Sequence, residues 1–260
     1  TPDLGYHYDP LDFVLGKTAL SNATLTVASG TALGTFAPSY AAAGLALKDS
    51  SAFVCEGAAT NLNRIVRYNS VQEQANANWT NGMPGPQVHT VLNTSVRLRY
   101  TDFSLLAGDT DHFNADESSS GVFTFRDCSF TSGRLVTMRP DLFLTNCLFQ
   151  RVNHQLASYD YWYLNVSYQN CLFQGGAVTL DDAMGDSIGT WSFHNNLFDA
   201  TSIATNGVLV TNDFNAYTTN PSRLVPTAAS NLLLAVTNFT FETGSLGRFY
   251  LPSGSSLINR

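Results

Sequence analysis

The sequence predicts an all-β solenoid, because short strand-like segments follow one another along the chain and a local motif recurs among them. Runs such as Ala23–Val27 and Ser95–Tyr100 alternate apolar and polar residues with period two, which is typical of half-buried strands. Long amphipathic helical patterns are missing from the sequence. The one exception is Asn69–Trp79, for which a short helix and an ordered loop are both open.

A six-residue motif in the middle of the chain gives the length of the repeat. Its copies read FRDCSF at 125–130, LTNCLF at 144–149, YQNCLF at 168–173 and FHNNLF at 193–198, with weaker copies at 210–214 and 236–239. The residue after the Asn or Asp falls at positions 128, 147, 171, 196, 213 and 239, in steps of 19, 24, 25, 17 and 26. A variable period of this size predicts a solenoid with one coil per repeat.

Each part of the motif has an expected place in the coil. Asn and Asp tolerate the left-handed backbone of a one-residue corner between two strands. The next residue would point inward, followed two positions later by an inward Phe. Because stacked strands lie about 4.8 Å apart, equivalent residues would form ladders along the solenoid. The predicted ladder residues are Asp127, Asn146, Asn170 and Asn195 at the corner, then Cys128, Cys147 and Cys171, and then Phe130, Phe149, Phe173 and Phe198.

The strands before and after the motif extend this pattern to about ten coils. The prediction is a single domain over 1–260, with an N-terminal joint segment at 1–20, coils at 20–250 and a C-terminal joint segment at 251–260. A β-sandwich also suits short regular strands, but its strands would not repeat Asn-Cys-Leu-Phe in register. Over about residues 20–250 the chain resembles the right-handed parallel β-helix (pectate-lyase-like) superfamily, which implies a right-handed, single-stranded parallel β-helix.

The two ends of the chain carry a second resemblance. Residues 3–8, DLGYHY, and residues 247–260, GRFYLPSGSSLINR, are similar to segments of long β-helix-repeat surface proteins of environmental bacteria. In those proteins the ending segment precedes the starting one within a tandem array. The resemblance implies one module of an array, or a subunit that repeats non-covalently in the same order.

Neither end of the sequence contains an amphipathic helix that would cap a solenoid. We therefore expect head-to-tail association of copies into a filament, with Tyr6, His7, Tyr8, Phe249 and Tyr250 near the junction. The alternative is a monomer whose terminal segments fold back over its ends.

Composition excludes several partners. The net charge of −7 argues against nucleic acid and anionic membranes, and no apolar run is long enough to span a bilayer. Lysine occurs only at Lys17 and Lys48, whereas Ser, Thr and Asn are plentiful, which indicates an extracellular or cell-surface protein. The chain begins at Thr1 rather than Met, which predicts a processed, excised or trimmed chain. Candidate glycosylation sites are Asn22, Asn78, Asn93, Asn165 and Asn238.

Catalytic motifs are weak, and the chain is predicted not to be an enzyme. Its four cysteines lack metal-site spacing and are expected to be free and buried. As the alternative, Asp160 precedes Asp181 and Asp182 by 21 and 22 residues, about one coil, so stacked carboxylates could serve a glycan hydrolase. Neither the Gly-His-Gly nor the Arg-x-Lys of pectin-hydrolase-like enzymes is present. A lyase of this fold would need a ladder of acidic residues beside its basic residue, and no such ladder accompanies Arg134, Arg139 and Arg151.

Two further segments are candidates for binding. The acidic segment 109–117 offers oxygen ligands suited to calcium as a cofactor, and a solvated loop is the alternative. Its candidate ligands are Asp109, Asp111, Asn114, Asp116 and Glu117. The aromatic residues Tyr159, Tyr161, Trp162 and Tyr163 are a candidate sugar-stacking platform or part of the core. The leading prediction remains a structural module, with a carbohydrate-active or carbohydrate-binding protein as the runner-up.

Overall fold

The described residues form an all-β structure. The computed structural model describes residues 10–37, 42–68, 85–105, 110–158, 164–182, 189–218, 222–236, 239–244 and 247–258, and these contain strands, turns and loops without an α-helix. They form a ten-stranded sheet A, a fourteen-stranded sheet B and a two-stranded antiparallel hairpin. Strand pairing within sheets A and B is parallel, as predicted, and the architecture is compatible with a β-solenoid. Within these ranges no helix is long and apolar enough to cross a membrane.

Sheet A receives one short strand from each repeat of the chain. Each strand pairs with its equivalents in the preceding and following repeats rather than with its neighbour in sequence, as parallel pairing requires. In order, the strands are β1 (Phe13–Gly16), β4 (Ala32–Phe36), β7 (Asn63–Arg67), β9 (Thr101–Ser104), β11 (Ser129–Thr131), β14 (Leu148–Gln150), β17 (Leu172–Gln174), β20 (Leu197–Asp199), β23 (Ala216–Tyr217) and β24 (Leu232–Leu233).

Sheet B receives two strands from most repeats and therefore has two columns. The first column contains β2 (Thr18–Ser21), β5 (Leu45–Lys48), β12 (Arg134–Thr137), β15 (Asn153–Ser158), β18 (Ala177–Asp182) and β21 (Ser202–Asn206). The second contains β3 (Thr24–Val27), β6 (Ala52–Glu56), β13 (Asp141–Thr145), β16 (Val166–Gln169), β19 (Trp191–His194) and β22 (Val210–Asp213). The long strands β8 (Val88–Arg99) and β10 (Asp111–Arg126) run through both columns.

The parallel strands begin before the predicted start of the coils at residue 20 and end before their predicted end at residue 250. Parallel pairing begins at Phe13, inside the predicted N-terminal joint segment, and ends at Leu233. The antiparallel hairpin of β25 (Glu242–Gly244) and β26 (Gly247–Tyr250) follows. The expected short helix or loop at Asn69–Trp79 lies outside the described residues.

One main core fills the space enclosed by the sheets, and it includes apolar residues from Val27 to Leu224. A second, smaller cluster lies on the other face of sheet A, since Leu172 and Leu197 alternate there with inward Phe173 and Phe198. In that cluster the chain after β24 packs back onto the sheet through Phe239, Phe241, Leu251 and Leu257. The C-terminal segment therefore lies along the outer face of sheet A.

Candidate functional site

The corner between sheet B and sheet A is a column of left-handed residues. Asp127, Asn146, Asn170 and Asn195 have φ of 54°, 54°, 54° and 57°. Asn146 Nδ2 donates to Asp127 Oδ1 at 3.0 Å, and Asn170 Nδ2 donates to Asn146 Oδ1 at 3.3 Å. The first three corner side chains of this surface ladder are thus linked by hydrogen bonds.

The next position forms a second, buried ladder. Cys128, Cys147 and Cys171 are free and buried, and each thiol donates to the carbonyl oxygen two residues earlier, at 3.2, 3.4 and 3.4 Å. Burial raises the pKa of Cys128 and Cys147 well above the usual value, so these thiols stay protonated at neutral pH.

Asparagines replace cysteine in the later repeats of this ladder. Asn196 Oδ1 accepts from the backbone N–H of Cys171 at 2.9 Å, and Asn215 Oδ1 accepts from that of Asn196 at 3.0 Å. Asn231 repeats the contact with Asn215 at 2.9 Å. The expectation that positions 213 and 239 are equivalent to 196 is therefore wrong. The equivalent residues are Asn215 and Asn231. The corner residue before Asn215 is Phe214 rather than Asn or Asp, so the motif matches Asn212 and Asp213 instead, two residues too early.

Inward residues of sheet A form a third ladder, here called the inward column. Six of its rings stack with centroids 4.6–5.3 Å apart and interplanar angles of 25° or less. The sequence motif predicted four of these six rings but not Phe103 and Tyr217. Strand register extends the column in both directions, so its members are Phe13, Leu33, Ile65, Phe103, Phe130, Phe149, Phe173, Phe198, Tyr217 and Leu233.

The inward column is buried in its middle and exposed at its ends. Phe13 is 65% exposed and Leu233 is 46% exposed, although Phe103 and Phe149 are at most 1% exposed. Among the described strands, β1 pairs only with β4, and β24 pairs only with β23. Within the described strands, each terminal residue therefore has a neighbouring layer on one side only, whereas its equivalents in the middle have one on both sides.

Two histidines lie under the aromatic stack. His154 contacts Phe149 edge-to-face at 4.4 Å, and its Nδ1 is 2.9 Å from the Tyr168 hydroxyl. His112 lies beside Phe130, with its Nε2 2.7 Å from the Ser132 carbonyl oxygen. Burial lowers the pKa of His112 to about 4 and that of His154 to about 3. Both are core residues that stay neutral at physiological pH.

The predicted calcium segment is not a loop, because Asp111–Arg126 is strand β10. Asp111 is buried, forms a 2.6 Å ion pair with Arg134 and accepts from Asn114 Nδ2 at 2.9 Å. Glu117 is exposed, whereas Asp109 and the side chain of Asp116 lie outside the described residues. In the described part of the chain, no group of three or more His, Cys, Asp and Glu side chains could hold a metal ion.

The alternative catalytic residues are only partly described. Asp181 is half-buried and Asp182 is buried, and both lie in β18 in register with Ala157 and Ser158. Asp160 and the aromatic segment 159–163 lie outside the described residues, as do Tyr6, His7 and Tyr8.

Of the glycosylation candidates, Asn22 and Asn93 are exposed, whereas Asn78 and Asn238 lie outside the described residues. Asn165 uses its amide internally. Its Nδ2 donates to Asp141 Oδ1 at 3.0 Å, and its Oδ1 accepts from the backbone N–H of Thr190 at 3.1 Å. Asn22 and Asn93 are therefore the accessible candidates among the described sequons.

Phe249 and Tyr250 contribute to a groove on the outer face of sheet A rather than to an end of the sheets. The groove has a volume of about 500 Å³ and crosses β9, β11 and β14, and its lining also includes Ala59, Leu62 and two residues of β26, Phe249 and Tyr250. A Cβ at Gly244 would overlap the Tyr250 ring, so glycine allows that ring to lie against the hairpin. The expected end-to-end junction stays a prediction, but both aromatic residues lie beside the middle strands of sheet A and not beside its outer strands β1 and β24.

The groove is lined by carboxylates, hydroxyls, amides and aromatic rings, and by no Lys or Arg side chain among the described residues. Ser129 Oγ donates to Asp102 Oδ1 at 2.6 Å. Burial raises the pKa of Asp102, while the Ser129 hydrogen bond and the charge of Arg64 oppose the shift. At the corner, Asp127 Oδ2 lies 3.2 Å from Arg126 Nε and 3.6 Å from Arg99 Nε. The guanidinium of Arg99 stands 4.8 Å over the ring of Tyr100.

No protein-family model matches the chain, and no similar protein was found among curated proteins or among solved structures. These comparisons therefore add nothing to the resemblance of the chain to pectate-lyase-like proteins or to that of its two end segments. The fold and the sites rest on the described structure alone.

Proposed function

We propose that this chain is a structural β-solenoid module that associates end to end with copies of itself, outside the cell or on its surface. In this proposal the fold is a right-handed, single-stranded parallel β-helix of about ten coils. Ten strands in sheet A support the number of coils. Right-handedness is supported by the strong preference of parallel strand crossovers for that hand.

The observation that carries the proposal is the exposure of both ends of the inward column. Stacking the last layer of one copy on the first layer of the next would continue the column from Leu233 to Phe13. It would also provide partners for the outer edges of β1 and β24, which are templates for strand addition. Such a contact joins two different surfaces and does not close, so it generates a fibre, stalk or layer.

Three further apolar residues, Val14, Leu209 and Phe214, are exposed near the two ends. Phe13 and Val14 are 65% and 47% exposed in the first layer, while Leu209 and Phe214 are 87% and 53% exposed in the last full layer. Contiguous exposed apolar residues commonly mark association surfaces. Phe13, Val14, Leu209, Phe214 and Leu233 therefore replace Phe249 and Tyr250 as the proposed junction residues.

Blocking one end at a time tests the proposal. Phe13→Lys should block the first layer and Leu233→Lys the last, so each variant alone should remain monomeric where the wild type forms filaments. An equimolar mixture should form dimers, because one intact first layer and one intact last layer remain. Sedimentation velocity and negative-stain electron microscopy measure both results.

The matched control is Phe143→Lys, at a 38% exposed position in the middle of sheet B, which should still form filaments. A wild-type chain that stays monomeric at all concentrations would overturn the proposal. Dimers formed by either blocked variant alone would show a self-complementary contact and would contradict the head-to-tail arrangement.

A further inference from the structure

We infer that the groove on the outer face of sheet A binds a neutral, polyhydroxylated ligand of the short-oligosaccharide class. Such binding is independent of end-to-end association, since the groove lies across the middle strands of sheet A. Its volume of about 500 Å³ falls within the usual range for ligand sites.

The polar lining is suited to hydroxyl groups. Asp102 Oδ1 accepts from Ser129 Oγ, and a carboxylate has further lone pairs that can accept from a ligand. Gln150 and Asn146 add amides that can both donate and accept. A ligand hydroxyl can donate to a carboxylate and accept from an amide, so a polyol can pair with both kinds of group.

The apolar part of the lining is suited to the flat face of a sugar ring. Tyr100, Phe249 and Tyr250 contribute aromatic rings to the lining of the groove. Tyr250 is 41% exposed, so its ring is accessible to a ligand. Aromatic side chains with a polar tip combine apolar contact with hydrogen bonding at partly wet sites.

The charges around the groove argue against other ligand classes. Phosphate or carboxylate ligands would meet Asp102 and Asp127 without any lining cation from the described residues. An organic cation would compete with Arg99 and Arg126, which already lie beside Asp127, and with Arg64, whose charge acts on Asp102. A neutral ligand is neither repelled by these carboxylates nor in competition with these arginines, and it brings no charge that must be desolvated.

Isothermal titration calorimetry on the full chain tests the inference. The probes are neutral oligosaccharides of cellulose, xylan, mannan and starch, with oligogalacturonate as the acidic arm and chitosan oligosaccharides as the cationic arm. We expect binding of at least one neutral series. Tyr250→Ala and Asp102→Asn should each weaken that binding by about tenfold.

The matched controls are Tyr68→Ala and Glu56→Gln. Tyr68 packs edge-on against Phe36, and Glu56 pairs with Arg97, in both cases away from the groove lining. Both controls should bind as the wild type does. Absence of binding to every neutral series, binding only to the acidic or cationic arm, or neutral binding unchanged by Tyr250→Ala and Asp102→Asn would each overturn the inference. Circular dichroism and the melting temperature verify that each variant is folded.

Discussion

The middle and the ends of the inward column have the same register but different environments. Phe149 lies between Phe130 and Phe173, with ring centroids 5.3 and 5.1 Å away, and is 1% exposed. Phe13 occupies the equivalent position in the first layer and is 65% exposed. In a stack of repeats, burial therefore depends on the neighbouring layers as much as on the residue itself. The same kind of side chain is buried in the middle and, in the proposed assembly, would contact the next copy at the end.

Truncating one ring from each region should produce the largest difference. Phe149→Ala removes a buried ring from between two others and should lower the free energy of unfolding by about 3–5 kcal/mol. Phe13→Ala should change that free energy by less than about 0.5 kcal/mol, as is usual for a surface position. Urea unfolding at a protein concentration that keeps the chain monomeric measures both. Equal losses would show that the first layer is as well packed as the middle.

Acidification should destabilise the middle of the stack through His154. The pKa of this residue is about 3 in the folded protein against a usual value of 6.5, so the unfolded chain binds the extra proton between these limits. The contribution of the neutral histidine to the free energy of unfolding is complete above pH 6.5. It decreases by about 1.4 kcal/mol per pH unit as the pH falls toward 3. Unfolding at pH 7, 6, 5 and 4 measures this slope.

The matched variant is His154→Gln, which cannot take up the proton. It should have lower stability at pH 7, because Phe149 and Tyr168 lose a packing partner. Its slope between pH 6 and pH 4 should be shallower than that of the wild type by about 1.4 kcal/mol per pH unit. An unchanged slope would mean that other groups cause the acid dependence.

The corner column allows backbone strain to be separated from hydrogen bonding. Asn170→Leu should cost about 1–3 kcal/mol, because leucine is strained in the left-handed region and cannot donate to Asn146. Asn170→Gly keeps the backbone unstrained and loses only the exposed hydrogen bond, so it should cost less. Thermal unfolding of the two variants measures the difference. A glycine variant as unstable as the leucine variant would mean that the side-chain hydrogen bonds stabilise the corner more than relief of backbone strain does.

Sequence reasoning predicted the corner, cysteine and Phe ladders between 125 and 198 because one local pattern repeats there. It missed Leu33 and Ile65, since aliphatic side chains at these inward positions carry no distinctive motif. Asn215 and Asn231 were missed because Phe214 and Ser230 precede them, so the Asn or Asp that marks the earlier corners is absent. The groove has no local signal at all. Its residues come from separate repeats and from a hairpin whose return along sheet A depends on tertiary packing.

The smallest change in the free energy of unfolding is expected at Phe214, a corner residue of the last full layer, which can be compared with Asn195 in the middle. Phe214 is equivalent to Asn195 and has a φ of 51°, a conformation that costs a bulky residue about 1–2 kcal/mol. Its ring is 53% exposed, so few buried contacts offset that cost within one chain. Phe214→Asn should therefore raise the free energy of unfolding of the monomer by about 1 kcal/mol.

The same substitution should weaken association, because it removes an apolar ring from the proposed junction. Asn195→Phe is the reciprocal variant, and it should destabilise the monomer by a similar amount while leaving association unchanged. Urea unfolding and sedimentation velocity on both variants separate the two effects. If Phe214→Asn lowered monomer stability, the ring would be making contacts within its own chain that outweigh the backbone strain. The last layer would then be a closed cap rather than a surface for the next copy.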